Sequence, residues 1–188
     1  PTESSVATKV PVPLQKTPAS VGVVTRSLVD RQDGVILGDA LKNVSGVNVQ
    51  TGFGVHDYFV IRGFDSLTGG LVLTDGIPEP EASFYDMYNV ERVEVLKGPG
   101  AFLYGGNPLS GSVNLLRKQP VFAKFSNLSG SYGQHNSYRA TVDLGTGNLD
   151  QGVAFRINAL RYISDQYRDE KNSSTWAFHP TLMWQPNE

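Results

Sequence analysis

Histidine side chains are the first candidates for a functional site in this sequence, because histidine can act as an acid–base catalyst or as a metal ligand. There are three, His56, His135 and His179, and no two of them have the spacing of a metal site. Cysteine is absent, which removes thiol catalysis, thiolate metal sites and disulfides together. No Gly-x-Ser-x-Gly motif marks a serine nucleophile. These residue types therefore do not predict an enzyme.

Two pairs of carboxylates have a spacing that general acid–base catalysis could use. Glu79 and Glu81 flank Pro80, while Glu91 and Glu94 lie in a β-rich run. Because no nucleophile or base accompanies either pair, solvated or salt-bridged acids are the favoured interpretation.

A glycine-rich stretch, Gly98-Pro99-Gly100 followed by Gly105-Gly106, could suggest a phosphate-binding loop. A Walker loop ends in Gly-Lys-Ser/Thr, however, and Pro99 has no N–H to donate. The formal net charge is −2 and the pI is about 5.9, so the chain lacks the basic excess that neutralises nucleic-acid phosphates. We expect no nucleic-acid partner.

The elements that must position these residues fall into two regions that meet near Pro120. In the first region, apolar residues recur at the spacing of one face of an α-helix: Ile36, Leu37, Ala40, Leu41 and Val44. Gly46 is the predicted C-terminal cap of this helix, and the Thr25 hydroxyl is predicted to cap a shorter helical turn. The β-rich runs are residues 21–25, 58–62, 71–74, 90–96 and 112–117. We predict a small α+β domain over residues 1–120, a mixed sheet with short helices.

The second region, residues 121–188, alternates apolar and polar residues with a period of two. The alternating segments are 138–144, 153–159 and 176–184, with 125–132 as a weaker fourth, and residues 145–152 and 169–174 are turn-forming. This pattern predicts an antiparallel meander of about four strands. A soluble sheet packed on the first region would alternate too. Strands of about 10 residues with aromatics near their ends favour a transmembrane β-barrel, and these aromatics are Tyr138, Tyr162, Trp176 and Trp184.

The two ends of the sequence carry further expectations. Closing a barrel takes at least about 8 strands, and the sequence stops soon after a strand-like pattern, so we expect a truncated chain whose remaining strands lie beyond Glu188. No window approaches the roughly 18 apolar residues of a membrane-spanning helix. The start at Pro1 has no signal-peptide pattern, as expected of a cytosolic protein or of a sequence that begins after processing.

An ordered series of short sequence motifs runs along residues 17–120. In chain order they are Thr-Pro-Ala-Ser-Val-Gly-Val-Val-Thr (17–25), Asp-Ala-Leu-Lys-Asn-Val-Ser-Gly-Val (39–47), Ile-Arg-Gly-Phe (61–64), Asp-Gly-Ile-Pro (75–78), Val-Glu-Arg-Val-Glu-Val-Leu-Lys-Gly-Pro (90–99), Leu-Tyr-Gly (103–105) and Gly-Ser-Val-Asn-Leu-Leu-Arg-Lys-Gln-Pro (111–120). Together they resemble the plug domain of TonB-dependent outer-membrane receptors, and their residues are most similar to those of the siderophore-receptor branch.

The resemblance implies a fold and a function. Residues 1–120 would be the plug, and residues 121–188 the first strands of a barrel of roughly 22 strands, within the range of outer-membrane barrels. The expected activity is uptake of a ferric siderophore across the outer membrane of a Gram-negative cell, with no covalently bound cofactor and no enzymatic step. The implied partners are the ferric siderophore, TonB with its inner-membrane energising proteins, and outer-membrane lipid. A TonB box would lie near Glu3–Ala7 or upstream of Pro1.

The resemblance also implies where ligand and barrel are contacted. Loops 50–58, 79–88 and 101–104 would form the extracellular end of the plug, where aromatic walls suit a bulky chelate. The expected ligand-binding residues are Phe53, His56, Tyr58, Phe84, Tyr85, Tyr88, Phe102 and Tyr104. Tyr88 matches a binding tyrosine of ferric-hydroxamate receptors, whereas residues 50–53 depart from that subfamily, which has an arginine there. Arg62 and Arg92, with Glu91, would lock the plug to acidic groups of the barrel wall, since arginine pairs bidentately with carboxylates.

Two other functions stay open at this point. A receptor for haem, cobalamin or another metal complex would use His56 as a ligand. An interaction module of another class, a soluble adhesin whose sheet packs on the first region, would need neither TonB nor a membrane.

Overall fold

The computed structural model describes residues 3–17, 19–52, 56–66, 70–79, 85–98, 111–134, 136–165 and 172–186. The chain divides into two compact units, Pro1–Arg117 and Lys118–Glu188. Among the described residues, neither α-helix has the length and the apolar character that a membrane crossing needs.

The first unit has the predicted α+β architecture. Its elements in chain order are β1 (Glu3–Ser4), β2 (Val12–Pro13), a 3-10 helix (Leu14–Lys16), β3 (Ser20–Thr25), α1 (Arg26–Arg31), α2 (Leu37–Leu41), β4 (Val47–Gly52), β5 (His56–Ile61), β6 (Phe64–Asp65), β7 (Gly70–Thr74), β8 (Ile77–Pro78), β9 (Val90–Lys97) and β10 (Gly111–Arg117). All five β-rich runs predicted from the sequence coincide with strands, apart from Arg62.

The main sheet of this unit is mixed and has the strand order β3-β9-β10-β7-β8. Strand β9 is antiparallel to both β3 and β10, and β7 runs parallel to β10. Val113 lies opposite Val95 on one side and Val72 on the other, which gathers β-branched side chains on one face. A smaller antiparallel sheet contains β4, β5 and β6.

The core lies between the valine face of the main sheet, the two helices and β5. Leu37, Leu41, Phe59, Ile61 and Met87 are all buried in it. Ala40 is buried as well, so Leu37, Ala40 and Leu41 confirm the predicted apolar face, while Val44 is buried just after the helix ends. The helix and the sheet therefore hold each other in place through burial of this face.

The opposite face of the main sheet is more polar and is also buried. Glu94, Ser112 and Asn114 have less than a tenth of their surface exposed. Residues near the N-terminus account for part of this cover, because Val6 packs against Leu96 in a small second apolar cluster.

Two predicted helix caps differ from the structure. Thr25 does precede α1, but its hydroxyl bonds the Ser27 hydroxyl at 3.1 Å rather than a backbone N–H. Helix α2 ends at Leu41, so Gly46 is too far along the chain to be its cap. Gly46 has a φ of 75° and instead makes the turn into β4, a backbone conformation that glycine adopts without strain.

Arg62 also differs from its prediction. The strand β5 ends at Ile61, and Arg62 has a φ of 52°. With Gly63, at a φ of 89°, it forms the tight turn between β5 and β6. The turn reverses the chain so that Ile61 pairs with Phe64, and this is why the strand stops one residue early.

The second unit is an antiparallel meander, as the alternation predicts. Its strands are β11 (Phe125–Gly133), β12 (Ser137–Asn148), β13 (Val153–Asp165) and β14 (Asn172–Trp184), paired in sequence order. They are 9, 12, 13 and 13 residues long. This length agrees with strands of about 10 residues, the size that crosses a bilayer.

The predicted turn at residues 145–152 is shorter in the structure. Strand β12 continues to Asn148, and Thr146 pairs with Phe155 of β13. Gly145 and Gly147 leave no room for a side chain: a Cβ on Gly145 would lie 2.1 Å from the Phe125 ring. Local turn propensity is outweighed here by the pairing on both sides of the strand.

Candidate functional site

Residues 85–88 form a short extended segment tied to the start of α2. The Leu37 N–H donates to the Tyr85 carbonyl at 2.8 Å, and the Met87 N–H donates to the Val35 carbonyl at 2.8 Å. Met87 is buried in the core, so alternation places Asp86 and Tyr88 on the other side of the segment. The buried Met87 side chain and these two hydrogen bonds therefore fix the position of residues 85–88.

Tyr88 is the best-defined of the predicted ligand-binding residues. Its backbone N–H donates to Asp86 Oδ1 at 2.8 Å. Burial raises the pKa of the Tyr88 phenol, the Asp86 charge raises it further, and Arg117 opposes them in part. The phenol is therefore protonated at neutral pH and offers an O–H donor.

Beside this segment lies a small polar cleft of about 160 Å³. Its lining residues are Thr74, Glu79, Tyr85, Asp86, Asn89, Val90, Leu115 and Arg117. Small-molecule pockets usually measure about 300–1,000 Å³, so this cleft can take one arm or one functional group of a larger ligand rather than the whole of it.

A rigid turn borders the cleft. Asp75 and Gly76 have φ values of 49° and 81°, as a two-residue β-hairpin turn of type I′ requires. Asp75 accepts the Arg117 N–H at 2.9 Å and Arg117 Nε at 2.6 Å, while Asn114 Oδ1 accepts the Gly76 N–H at 3.0 Å. These bonds fix the Arg117 guanidinium at the end of β10.

Glu94 is the most buried charged side chain of the first unit's described residues, with 0% of its surface exposed. Its Oε2 accepts the Ser4 hydroxyl at 2.8 Å and the N–H groups of Ser5 and Val6 at 3.0 Å each. Arg92 Nε pairs with its Oε1 at 2.8 Å. The carboxylate is thus paired and hydrogen-bonded, as a buried charge must be. The sequence indicated a salt-bridged acid here but not the contact with Ser4–Val6.

The three predicted locking residues point in different directions. Arg92 pairs with Glu94 on its own strand, whereas Glu91 is exposed. Arg62 lies at the other end of β9, where its Nη1 is 3.2 Å from the position that a Cβ on Gly98 would occupy. Contacts of these residues with a barrel wall stay a prediction.

The predicted ligand-binding residues are only partly described. Phe53, Phe84, Phe102 and Tyr104, together with the side chain of His56, lie outside the described residues. Tyr58 is half-buried in β5, and Tyr85 and Tyr88 are half-buried as well. Tyr85 packs against the hydrophobic core, so the two tyrosines lie on different sides of their segment. Lys97 and Gly111, which flank the stretch containing Phe102 and Tyr104, pair at the end of the sheet opposite Val90. The grouping of residues 101–104 with Tyr88 stays a prediction.

The second unit contains a buried charge cluster on the more polar face of its sheet. Asp143 accepts Arg156 through Nε and Nη2 at 2.8 Å each and Lys118 Nζ at 2.9 Å. Arg156 also donates to the Gln119 carbonyl at 2.8 Å and lies 5.0 Å from the centre of the Phe125 ring. The sequence identified Asp143 and Arg156 as polar positions of alternating strands, but their pairing depends on the strand register.

A family model described as the TonB-dependent receptor plug domain matches residues 13–112. The ferrioxamine receptor of Yersinia enterocolitica is 32% identical over 196 residues, covering 100% of this chain and 27% of the relative.

Two solved structures are also similar. The pyoverdine outer membrane receptor FpvA of Pseudomonas aeruginosa PAO1 has a TM-score of 0.87 and 25% identity, covering 100% of this chain and 28% of that one. The closed form of the ferric-catecholate import receptor Fiu of Escherichia coli K12 has a TM-score of 0.83 and 28% identity, covering 98% and 26%. The chain spans about a quarter of the length of these proteins.

Proposed function

Since the chain belongs to the family of TonB-dependent receptor plug domains, we propose that it is part of an outer-membrane receptor that takes up a ferric siderophore with energy supplied through TonB. The observation that carries the proposal is the match to receptors whose names specify ferrioxamine, pyoverdine and ferric catecholate. These ligands differ in chemistry but are all iron chelates with an organic shell.

In this proposal residues 1–120 are the plug, which serves as ligand platform and gate. Residues 121–188 are the first strands of the surrounding barrel. The strand lengths of the second unit and the large apolar side chains exposed on one face of its sheet support contact with outer-membrane lipid. TonB would act on the plug from the periplasmic side.

The chemistry of the gate is binding and release without bond making. The protonated Tyr88 phenol can donate a hydrogen bond to a chelate oxygen. Arg117, which pairs with Asp75, lines the neighbouring cleft together with Glu79 and Asp86. The phenol donor suits an oxygen-rich ligand. The iron ion is cargo held by the chelate.

The test uses the full-length receptor in an iron-starved strain that lacks its other chelate receptors. We expect uptake of radioactive iron presented as ferrioxamine, pyoverdine or a ferric catecholate, with at least one of the three taken up. Addition of an uncoupler or deletion of TonB should stop that uptake. Uptake of haem or cobalamin but of none of the three chelates would contradict the proposal, as would uptake that persists in uncoupled cells.

The predicted role of Tyr88 is tested with the chelate that is taken up. Replacing Tyr88 with Phe removes one donor, so we expect the Kd for the ferric chelate to rise about 2- to 10-fold, the effect of losing one hydrogen bond worth about 0.5–1.5 kcal/mol. Tyr132→Phe removes the same hydroxyl from an exposed position of β11 and should leave the Kd unchanged. Equal Kd values in the two variants would remove Tyr88 from the site.

A further inference from the structure

The residues that follow the N-terminus cover the polar face of the main sheet. Val6 is fully buried against Leu96, and Ser4 is 1% exposed. The Lys9 and Thr8 N–H groups bond the Ser5 carbonyl at 2.8 and 3.2 Å, which folds residues 5–9 into one compact turn. A cleft of about 360 Å³ runs alongside this turn and is lined by Ser5, Lys9, Asp75, Gly76, Asn114 and Leu116. Solvent space therefore borders the cover on one side.

One oxygen atom of the Glu94 carboxylate accepts three hydrogen bonds that anchor residues 4–6. Ser4, Ser5 and Val6 all donate to Glu94 Oε2, across sequence separations of 90, 89 and 88 residues. The strand pairing of the same stretch is small, since β1 and β2 share only two residue pairs. Hydrogen bonds to a buried charge are stronger than neutral ones, so Glu94 is a strong anchor of residues 4–6.

The fourth contact of Glu94 has a different origin. Arg92 lies two residues away on β9, on the same face of the same strand, and pairs with the other carboxylate oxygen. This pair does not depend on residues 4–6. If the cover leaves, Glu94 keeps a cationic partner and is not left as an unpaired buried charge, which would be strongly unfavourable.

We infer that Glu94 is a clasp that holds residues 4–9 on the polar face of the sheet and releases them under a pull applied N-terminal to Ser4. Such a pull loads the Ser4 hydroxyl bond first and then the Ser5 and Val6 N–H bonds, so the contacts break in succession rather than together. Release uncovers Glu94 and Leu96, the two residues that Ser4–Val6 contact, and water can then replace the hydrogen bonds that Glu94 loses.

The source of the pull rests on the proposed function, in which TonB acts on the plug. The clasp itself does not, because its bonds form within this chain. Its test is therefore made on the full-length receptor in detergent micelles, without TonB and without any iron chelate. A negative uptake experiment would leave this measurement interpretable, and a negative result here would leave the uptake proposal standing.

The measurement is hydrogen exchange of the peptide that covers residues 4–9, followed by mass spectrometry. Glu94→Gln keeps the shape but removes the charge, and its single amide oxygen cannot accept from Arg92 and from residues 4–6 at once, so exchange of residues 5–9 should be at least about tenfold faster than in the wild type. Ser4→Ala removes one bond from the covering side only and should give a smaller acceleration, about threefold. The matched control Glu3→Gln changes an exposed carboxylate one residue from the clasp and should leave exchange unchanged.

Peptides from β9 and β10 separate a clasp from a general loss of structure. In Ser4→Ala they should exchange as in the wild type, while residues 5–9 exchange faster. The inference is overturned if Glu94→Gln leaves the exchange of residues 5–9 unchanged, or if Glu3→Gln accelerates it as much as Glu94→Gln does. It is also overturned if the Ser4→Ala change spreads equally to β9 and β10.

Discussion

The Asp39 carboxylate ties the loop before α2 to the first turn of that helix. Its Oδ2 accepts the Val35 and Ile36 N–H groups at 3.2 and 3.4 Å, and its Oδ1 pairs with Lys42 at 2.9 Å. An acidic residue in the first turn also suits the positive end of the helix dipole. The stretch that Asp39 holds also hydrogen-bonds the backbone of Tyr85 and Met87. This carboxylate therefore helps to keep the candidate site in position.

The same surroundings give Asp39 a pH-dependent role. Burial raises its pKa, but the bonds from Lys42, Val35 and Ile36 outweigh burial and hold the pKa below 3.8. Because the folded pKa is depressed, the stabilisation is present above the unfolded value and is lost as pH falls through the folded value.

Replacing Asp39 with Asn keeps an oxygen acceptor but removes the charge, so the free energy of local opening of α2 should fall by about 0.5–1 kcal/mol at pH 7, from the lost Lys42 pair and the lost interaction with the helix dipole. The difference from wild type should disappear at a pH below the folded pKa. Hydrogen exchange of residues 42–44 in the full-length receptor, corrected for intrinsic rates, measures both values. Asp33→Asn, at an exposed turn position in the same region, is the control. A difference that persists at low pH would show that charge and its hydrogen bonds are not the cause.

Gly145 matters for the pairing of whole strands. It pairs with Phe125 on β11 and with Arg156 on β13. The Phe125 ring occupies the space that a side chain would need, and the Arg156 guanidinium lies against the same ring. A glycine here therefore lets an aromatic ring and a charged group pack on one face of the sheet.

We expect Gly145→Ala to destabilise the folded full-length receptor by about 1–3 kcal/mol, the cost of forcing a well-packed ring aside. Gly130→Ala is the matched control, since nothing lies within 4 Å of a Cβ at that strand position. The measurement is the urea midpoint for folding into detergent micelles at constant m-value. Equal midpoints for the two variants would mean that the Phe125 ring moves without cost.

The elements that sequence reasoning found correctly are those with a local signature. The helix around Leu37 has a period of its own, and the four long strands alternate over many residues. The Asp75-Gly76 turn likewise lies within one short motif, Asp-Gly-Ile-Pro (75–78). In each case the information lies within a few neighbouring residues.

The features that were missed depend on partners far along the chain. Residues 145–148 have turn composition, yet their pairing with β11 and β13 keeps them in a strand. Glu94 looked like an ordinary strand acid because its donors at residues 4–6 lie nearly ninety residues away. Tertiary contacts of this kind override local propensity and have no local signal.

At the scale of the whole molecule, the exposed face of the second unit indicates whether its sheet faces lipid or water. Large apolar side chains crowd the exposed face of its sheet, including Trp176, Phe178, Leu182 and Trp184 on β14. Trp176 and Trp184 are eight residues apart on one face, a distance of about 26 Å at ~3.3 Å per residue. At the strand tilt of about 35–45° this distance spans roughly 18–21 Å along the membrane normal, somewhat less than the apolar band about 25 Å tall between two aromatic girdles.

Arginine substitutions at two depths distinguish a lipid-facing sheet from a water-facing one. Phe178 lies inside the band and is 57% exposed, while Trp184 lies at its edge and is 70% exposed. For the full-length receptor folded into phospholipid vesicles, we expect Phe178→Arg to cost about 1–3 kcal/mol, between the midplane and interface values, and Trp184→Arg about 0–1 kcal/mol, because the cost of a charge falls toward the interface. Urea titration of the folded fraction measures both.

The matched pair loses an aromatic ring and gains the same charge in each variant, so the difference reports depth. On a water-facing sheet both substitutions would be ordinary surface changes of about ±0.5 kcal/mol. Two small and equal effects would thus contradict the membrane assignment of residues 121–188 while leaving the plug assignment intact. A large cost of Phe178→Arg alone would instead indicate that the exposed apolar face contacts lipid. In water the cost of an introduced charge would not depend on its depth.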